Sequence, residues 1–303
     1  MINRANIILT HNCNLRCKHC YIDAKYCNED KNKVFNETKK LLDKLLSEGI
    51  NNVMFTGGEC MIFPYIKELV AYAKKIGMSV TIFTNGMIFD KEIFDMVDHI
   101  NLSLDGPRDV HNYIRQNQNS YDNIIKVLNY LKKIDKKTTL QMTINNHNID
   151  YINFLGDFTL RYLNIRDVKL VFVSNIGRAK DNNIYHKDEF IDKVLNSIEE
   201  IYEKSKYHIQ FNTNIIKKYD FKNYYLSGDL SFALWFDIPN NKYYVLSEEL
   251  NKKANNINDF SLTKANQINS NIIKLLSNSK EKISENKYIN IEDTILKLIK
   301  GDF

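Results

Sequence analysis

Apolar residues recur along the chain in two rhythms, and the rhythms take turns. Short runs rich in Val, Ile, Phe and Thr predict strands at Ile7–Thr10, Asn52–Thr56, Ser79–Thr84, Ile100–Leu104, Thr138–Asn145 and Val168–Val173. Amphipathic stretches near Asn36–Ser47, Pro64–Ile76, Lys91–Val97, Tyr121–Ile134, Asp150–Leu163 and Lys187–Lys204 predict helices. In the first, Leu41, Leu42, Leu45 and Leu46 repeat at helical spacing while Lys and Glu fill the other face. Strand alternating with helix to about residue 204 argues for parallel βα units. Six such units can curl into a partial barrel or lie open as a doubly wound sheet, and periodicity does not separate the two.

The pattern breaks after about residue 205. Tyr207–Asn212, Ser231–Asp237 and Lys242–Leu246 read as short strands, with Pro239-Asn240-Asn241 as a turn between the last two. Helical stretches follow near Leu262–Asn278 and Ile291–Lys300. The expected division is a core over residues 1–204 and a small α+β extension over 205–303.

Composition narrows the function classes. A chain of 303 residues suits one large α/β domain, alone or with an appendage, and 10 Gly and 3 Pro speak against long disordered linkers. The net charge of +5 comes without a dense Lys/Arg block, which fits a solvated surface. The 18 Tyr and 16 Phe fall mostly at helical or strand spacing, favouring core packing over base stacking, so no nucleic-acid partner is expected. The apolar run ending at Leu9 is too short for a signal peptide or membrane span, so a cytoplasmic protein without a membrane partner is expected. Thiols stay reduced there, and clustered cysteines then point to metal or catalysis before disulfides.

Three of the five cysteines stand at Cys13, Cys17 and Cys20, spaced C-x3-C-x2-C directly after the first predicted strand. A short loop of this kind wraps one compact metal centre, and three thiolates leave one iron of a [4Fe–4S] cluster open to another ligand. The rival is zinc, with Cys27 or His19 as fourth ligand. Spacing places the cluster ahead of zinc, and Cys27 by itself reads as a structural thiol.

Polar and glycine-rich strand ends follow in order: Gly57-Gly58-Glu59, Thr84-Asn85-Gly86, then Ser103 and Asp105 on one strand face, then His111 and Arg115. Glycines permit close backbone approach. Buried polar strand residues are costly unless paired, so they suggest a site.

The segment from Thr10-His11-Asn12-Cys13 to Cys20-Tyr21 resembles the defining motif of the radical S-adenosylmethionine (SAM) superfamily, and the resemblance runs over roughly residues 5–180. It implies a partial (β/α)6 TIM-like barrel with the small C-terminal extension. It implies one [4Fe–4S] cluster on Cys13, Cys17 and Cys20, with SAM as second cofactor. The SAM-binding positions it implies are Tyr21, Gly57, Gly58, Glu59, Thr84, Asn85, Ser103, Asp105, Arg115, Asn145 and Val173. Glu59 would meet the methionine ammonium, and Arg115 the carboxylate through bidentate pairing. Cys60 stands where the family usually has proline; it is a hydrogen-donor candidate or a packed thiol. His111 reads as an ordinary surface or packing histidine. Gly177-Arg178-Ala179 is similar to a segment of several peptide-modifying members, and otherwise reads as a helix-free loop with a surface arginine.

The tail from Tyr225 to Leu262 is similar in rhythm to the SPASM module of peptide-modifying members, but Tyr225 and about Ser247 stand where that module carries cluster cysteines. No cysteine follows Cys60. The resemblance implies an enzyme that cleaves SAM to a 5′-deoxyadenosyl radical, fed by an external electron donor such as flavodoxin or ferredoxin. The expected substrate is a ribosomally made peptide or protein, crosslinked or epimerised. The alternatives are a small metabolite (a sugar, nucleoside or tetrapyrrole) and a non-catalytic zinc or iron–sulfur protein.

Overall fold

A computed structural model describes residues 2–24, 26–174, 176–187, 189–205, 210–213, 215–216, 234–245, 255–263, 265–267, 270 and 289–290. Six strands lie in chain order: β1 (Arg4–Ile8), β2 (Asn52–Thr56), β3 (Ser79–Thr84), β4 (His99–Ser103), β5 (Thr138–Ile144) and β6 (Ile165–Phe172). Each pairs in parallel with the next. The main connecting helices are α1 (Lys31–Ser47), α2 (Ile66–Lys75), α3 (Lys91–Met96), α4 (Arg108–Arg115), α5 (Ser120–Lys133) and α6 (Ile152–Arg161). The Asp30 carboxylate starts α1 by accepting the Lys33 N–H at 3.0 Å.

Right-handed crossovers between sequential strands keep the helices on one face of the sheet. A doubly wound sheet would need a reversal of strand order, and none occurs from β1 to β6. The helix-side residues Ala5, Ile7, Val53, Phe55, Val80, Ile82, Ile100, Leu102, Leu140 and Met142 join Leu41, Leu45, Leu69, Leu128 and Leu155 in one apolar core. Strand alternation turns Asn6, Met54, Thr81, Asn101, Gln141 and Lys169 to the opposite face, which is polar. In a flat sheet β1 and β6 would stand about 24 Å apart at 4.8 Å per strand. Hydrogen bonds nevertheless join the loops that follow them, so the sheet curls but does not close.

The strands beyond residue 205 extend this sheet at both edges. β7 (Gln210–Thr213) pairs in parallel with β6, and β9 (Leu234–Asp237) in parallel with β1. β10 (Lys242–Val245) and β11 (Asn255–Asn256) follow antiparallel, while β8 (Ile215–Ile216) and β12 (Ile289–Asn290) form a separate pair. Two further helices follow β6, the short α7 (Arg178–Asp181) and the long α8 (Glu189–Ser205).

Two expectations shift. The first strand begins at Arg4 and ends at Ile8, because Thr10 already turns its side chain to Glu29 as the loop starts. α4, read in the sequence only as a motif, is a helix entered at Pro107, whose fixed φ suits a helix start. Tyr225, Ser247 and the stretch 291–300 lie outside the described residues, as does most of 262–278. Among the described residues no helix is long and apolar enough to cross a membrane.

Candidate functional site

Cys13, Cys17 and Cys20 occupy the loop after β1, at the C-terminal edge of the sheet. Cys17 is buried, Cys13 and Cys20 are partly exposed, and all three are free thiols. A strap from the chain ahead of α1 fixes the loop's entry. Glu29 accepts from the Thr10 hydroxyl, from the His11 N–H at 2.7 Å and from Asn12 Nδ2 at 2.9 Å. Asn12 also pairs with both backbone groups of Cys27, at 2.6 and 3.0 Å.

The glycine pair backs the same loop. Gly58 N–H donates to Thr10 O at 2.7 Å and Glu59 N–H to Asn12 O at 2.9 Å. A Cβ on Gly57 would stand 2.3 Å from Thr10 O, and one on Gly58 2.2 Å from Asn12 O. The close approach that these glycines permit is therefore to the chain's own cysteine loop. Gly58→Ala is expected to cost about 1–3 kcal/mol, because a backbone oxygen cannot rotate out of the way. Urea unfolding of the metal-free protein measures the loss, and an unchanged midpoint would contradict it.

Glu59 is buried and committed. It accepts from Met61 N at 3.0 Å, Thr84 Oγ1 at 2.8 Å and Asn85 N at 2.7 Å. Burial pushes its pKa up despite these bonds. Its visible task is to fasten the end of β2 to the end of β3. Thr84 is buried in the same group, and Asn85 Nδ2 donates to Asn14 Oδ1 at 2.8 Å and lies 3.9 Å from Cys13 Sγ.

Asp105, one turn past β4, is the hub of the charged network and is fully buried. Its Oδ2 accepts from Arg115 Nε at 2.6 Å and meets His19 Nε2 at 3.1 Å; its Oδ1 accepts from Thr143 N at 3.1 Å. Burial alone would raise its pKa, but Arg115 and His19 together hold it well below the usual carboxylate range. Burial also opposes the charge of Arg115, and Asp105 and Cys17 outweigh that, so its pKa rises. Arg115 Nη1 reaches Cys17 Sγ at 3.7 Å. One carboxylate thus joins β4, β5, α4 and the cysteine loop, and aims a guanidinium at a thiol. Ser103 is buried at the end of β4 beside it.

His111 is no surface histidine. It is fully buried, accepts from Asp105 N at 3.1 Å through Nδ1, and meets Ser120 Oγ at 2.9 Å through Nε2. Burial, then Arg115, push its pKa down to about 3. An unfolded histidine titrates near 6.5, so between those values the unfolded chain binds the extra proton. This contribution to stability is complete above pH 6.5 and is lost as pH falls, by up to ~1.4 kcal/mol per pH unit. His111→Asn is expected to flatten the pH dependence of unfolding between pH 6 and 4; a slope equal to that of the parent protein would contradict the assignment.

Other expected positions fall elsewhere. Cys60 packs into the apolar core, with Sγ donating to Phe83 O at 3.3 Å. The Asn145 side chain is spent on the turn after β5, donating to Thr143 O and accepting from His147 N. Val173 packs with Ala179 and Ile184. Tyr21 is exposed on the cysteine loop. Arg178, in the Gly177-Arg178-Ala179 segment singled out in the sequence, does not lie on a helix-free loop as a surface side chain but opens α7 and folds onto the cysteine loop.

The donor set fits an iron–sulfur cluster. Burial pushes Cys13 up to about 11 and raises Cys17 as well, and the nearby thiols add to this, Cys17 and Cys20 at Cys13 and Cys20 at Cys17. Leu15 N–H donates to Cys13 Sγ at 3.4 Å, and Arg115 faces Cys17 Sγ, so donors already point at two sulfurs. Bound iron would take the thiols as thiolates outright. Of the two alternative fourth zinc ligands, His19 is engaged on Asp105, and Cys27 is an exposed thiol whose backbone is held by Asn12.

Comparison with known proteins gives the same answer. The chain is 29% identical over 206 residues to Fe-coproporphyrin III synthase of Methanosarcina barkeri, covering 65% of this chain and 51% of that protein. It is 26% identical over 152 residues to sporulation killing factor maturation protein SkfB of Bacillus subtilis, covering 48% of this chain and 36% of that one. The chain therefore spans about half, or less, of the curated relatives it matches. The structure of Streptococcus suis SuiB bound to S-adenosylmethionine superposes with a TM-score of 0.68 at 15% identity, over 86% of this chain and 64% of SuiB, a likeness of fold. The profile of the radical SAM superfamily matches residues 7–158, a stretch that takes in the whole cysteine loop and every strand end from β1 to β5. On that match the chain belongs to the radical SAM superfamily, whose members use a [4Fe–4S] cluster and S-adenosylmethionine.

Proposed function

We propose that this protein reductively cleaves S-adenosylmethionine and uses the product radical to abstract hydrogen from a peptide. The observation that carries the first half is the placement of three thiols on one loop, with Arg115 set against Cys17 by the buried Asp105. The bound cluster and SAM supply the radical chemistry. The chain's own part is to hold and orient. Cys13, Cys17 and Cys20 would hold the iron, and the buried Asn85, Ser103 and Arg115 would hold the polar groups of SAM. Asp105 and His111 keep Arg115 in place, and Glu59 with the glycine pair keeps the loop in place. On this reading residues 1–204 form the radical SAM core and 205–303 a cluster-free extension added to both edges of its sheet.

The inward face of the sheet supports the choice of a peptide substrate. Thr81, Asn101, Gln141 and Thr143 are half-buried there, and Asn6 is buried with its Oδ1 lacking a protein partner. Neutral amides and hydroxyls match the donors and acceptors of a peptide backbone. SkfB is a maturation protein, and SuiB has been captured with its precursor peptide SuiA. The second reading, a tetrapyrrole, is favoured by the similarity to Fe-coproporphyrin III synthase. Its several carboxylates would ask for cationic partners; Lys169 shares that face but is exposed, and Thr81, Asn101, Gln141 and Thr143 are neutral.

Anaerobic turnover with SAM, dithionite and a short peptide encoded beside the gene tests the choice. The expected result is a peptide mass change dependent on SAM, with coproporphyrin unaltered in a parallel reaction. An altered porphyrin with an unaltered peptide would reverse the assignment.

A further inference from the structure

The cysteine loop belongs to β1, yet its second half is held from the far side of the sheet. Arg178, at the first position of α7, donates its backbone N–H to Cys20 O at 2.9 Å. Its Nε donates to Cys17 O at 2.9 Å. Its Nη1 donates to Ala24 O at 2.9 Å and to Asp23 Oδ1 at 3.1 Å. The side chain is only 14% exposed, so these bonds form largely out of solvent. Gly177 makes the approach possible: a Cβ there would stand 2.5 Å from both Cys20 O and Tyr21 O, and its φ of +55° is one that glycine adopts freely.

Two of the carbonyls that this arginine touches, directly or through its backbone, belong to Cys17 and Cys20. We propose that Arg178 is a positioning residue for the cluster: its planar fork, delivered from the loop after β6, fixes the backbone of Cys17–Ala24 so that two of the three thiolates are presented at one spacing. The same contact ties β1 to β6 across the open mouth of the curled sheet. The cluster's surroundings therefore respond to whatever moves the β6 loop. Lysine cannot replace this group, because one ammonium cannot reach three acceptors in a plane. Partners that orient metal ligands at one remove typically change metal affinity by about 10–100-fold when removed.

This inference rests on the radical SAM reading, and one experiment keeps the two distinct. The parent protein, Arg178→Ala, Arg178→Lys and Gly177→Ala are reconstituted anaerobically with iron and sulfide. Iron release to a chelator is timed, and the electron paramagnetic resonance spectrum of the dithionite-reduced cluster is recorded with and without SAM. Thermal unfolding of each metal-free protein gives the structural control. Arg178→Ala and Gly177→Ala are expected to release iron about tenfold faster or more and to alter the spectrum alike, with Arg178→Lys between them and the parent. Release rates and spectra equal to the parent's would overturn the proposal. So would faster release that only follows lower thermal stability while the spectrum stays unchanged. A parent protein that takes up no cluster would overturn the family-based reading and this inference with it.

Discussion

Asp105→Asn is expected to destabilise the metal-free protein by about 3–5 kcal/mol, the cost of leaving a buried charge without its partner. Asp105 is fully buried, and Arg115 is nearly so. Removing the carboxylate's charge strands the guanidinium beside Cys17 and loosens His19, which sits between two of the cysteines. The Cys17 thiol cannot compensate, because burial favours its neutral form. Arg115→Met alone is expected to be similarly damaging, whereas Asp105→Asn combined with Arg115→Met should cost less than the sum of the two single changes. Denaturant unfolding of the four proteins measures this coupling; strict additivity would show that the pair does not act as a unit.

Replacing Cys13, Cys17 or Cys20 by alanine should remove the cluster and all SAM cleavage while leaving the fold largely intact. The loop is held independently of its sulfurs. Glu29, Gly58 and Glu59 fix its entry at Thr10–Asn12, and Lys18 N–H donates to Ile114 O at 2.8 Å further along. Cys17→Ala should perturb stability most of the three, because Cys17 is buried against Arg115. Cys27→Ala, an exposed position, should leave both cluster and cleavage unchanged. Visible absorbance after reconstitution and the yield of 5′-deoxyadenosine check each variant. Cleavage that survives any of the three substitutions would remove that thiol from the ligand set.

The architecture was legible from the chain because its signals are local. Six strands and their helices each carry a period of their own, and sequential parallel pairing follows from right-handed crossovers. Three of the strand ends singled out in the sequence, Glu59, Asp105 and Asn145, are buried polar groups, as expected of residues near a site. Their side chains nevertheless serve the protein itself. A polar residue at a strand end can face a ligand or satisfy a neighbouring strand's unpaired N–H, and the two uses leave the same trace in sequence. The pairing of β9 with β1 was not legible, since it joins segments more than two hundred residues apart. The partners of Arg178 were not legible for the same reason: its segment stood out in the sequence, but Cys17 through Ala24 lie at the other end of the sheet.

The most direct test of the central claim is anaerobic reconstitution of the full chain with iron and sulfide, followed by SAM and dithionite. The account predicts iron–sulfur absorbance, about four irons per chain from one [4Fe–4S] cluster, and release of 5′-deoxyadenosine and methionine. A protein that binds zinc, shows no iron–sulfur absorbance and leaves SAM intact would contradict it.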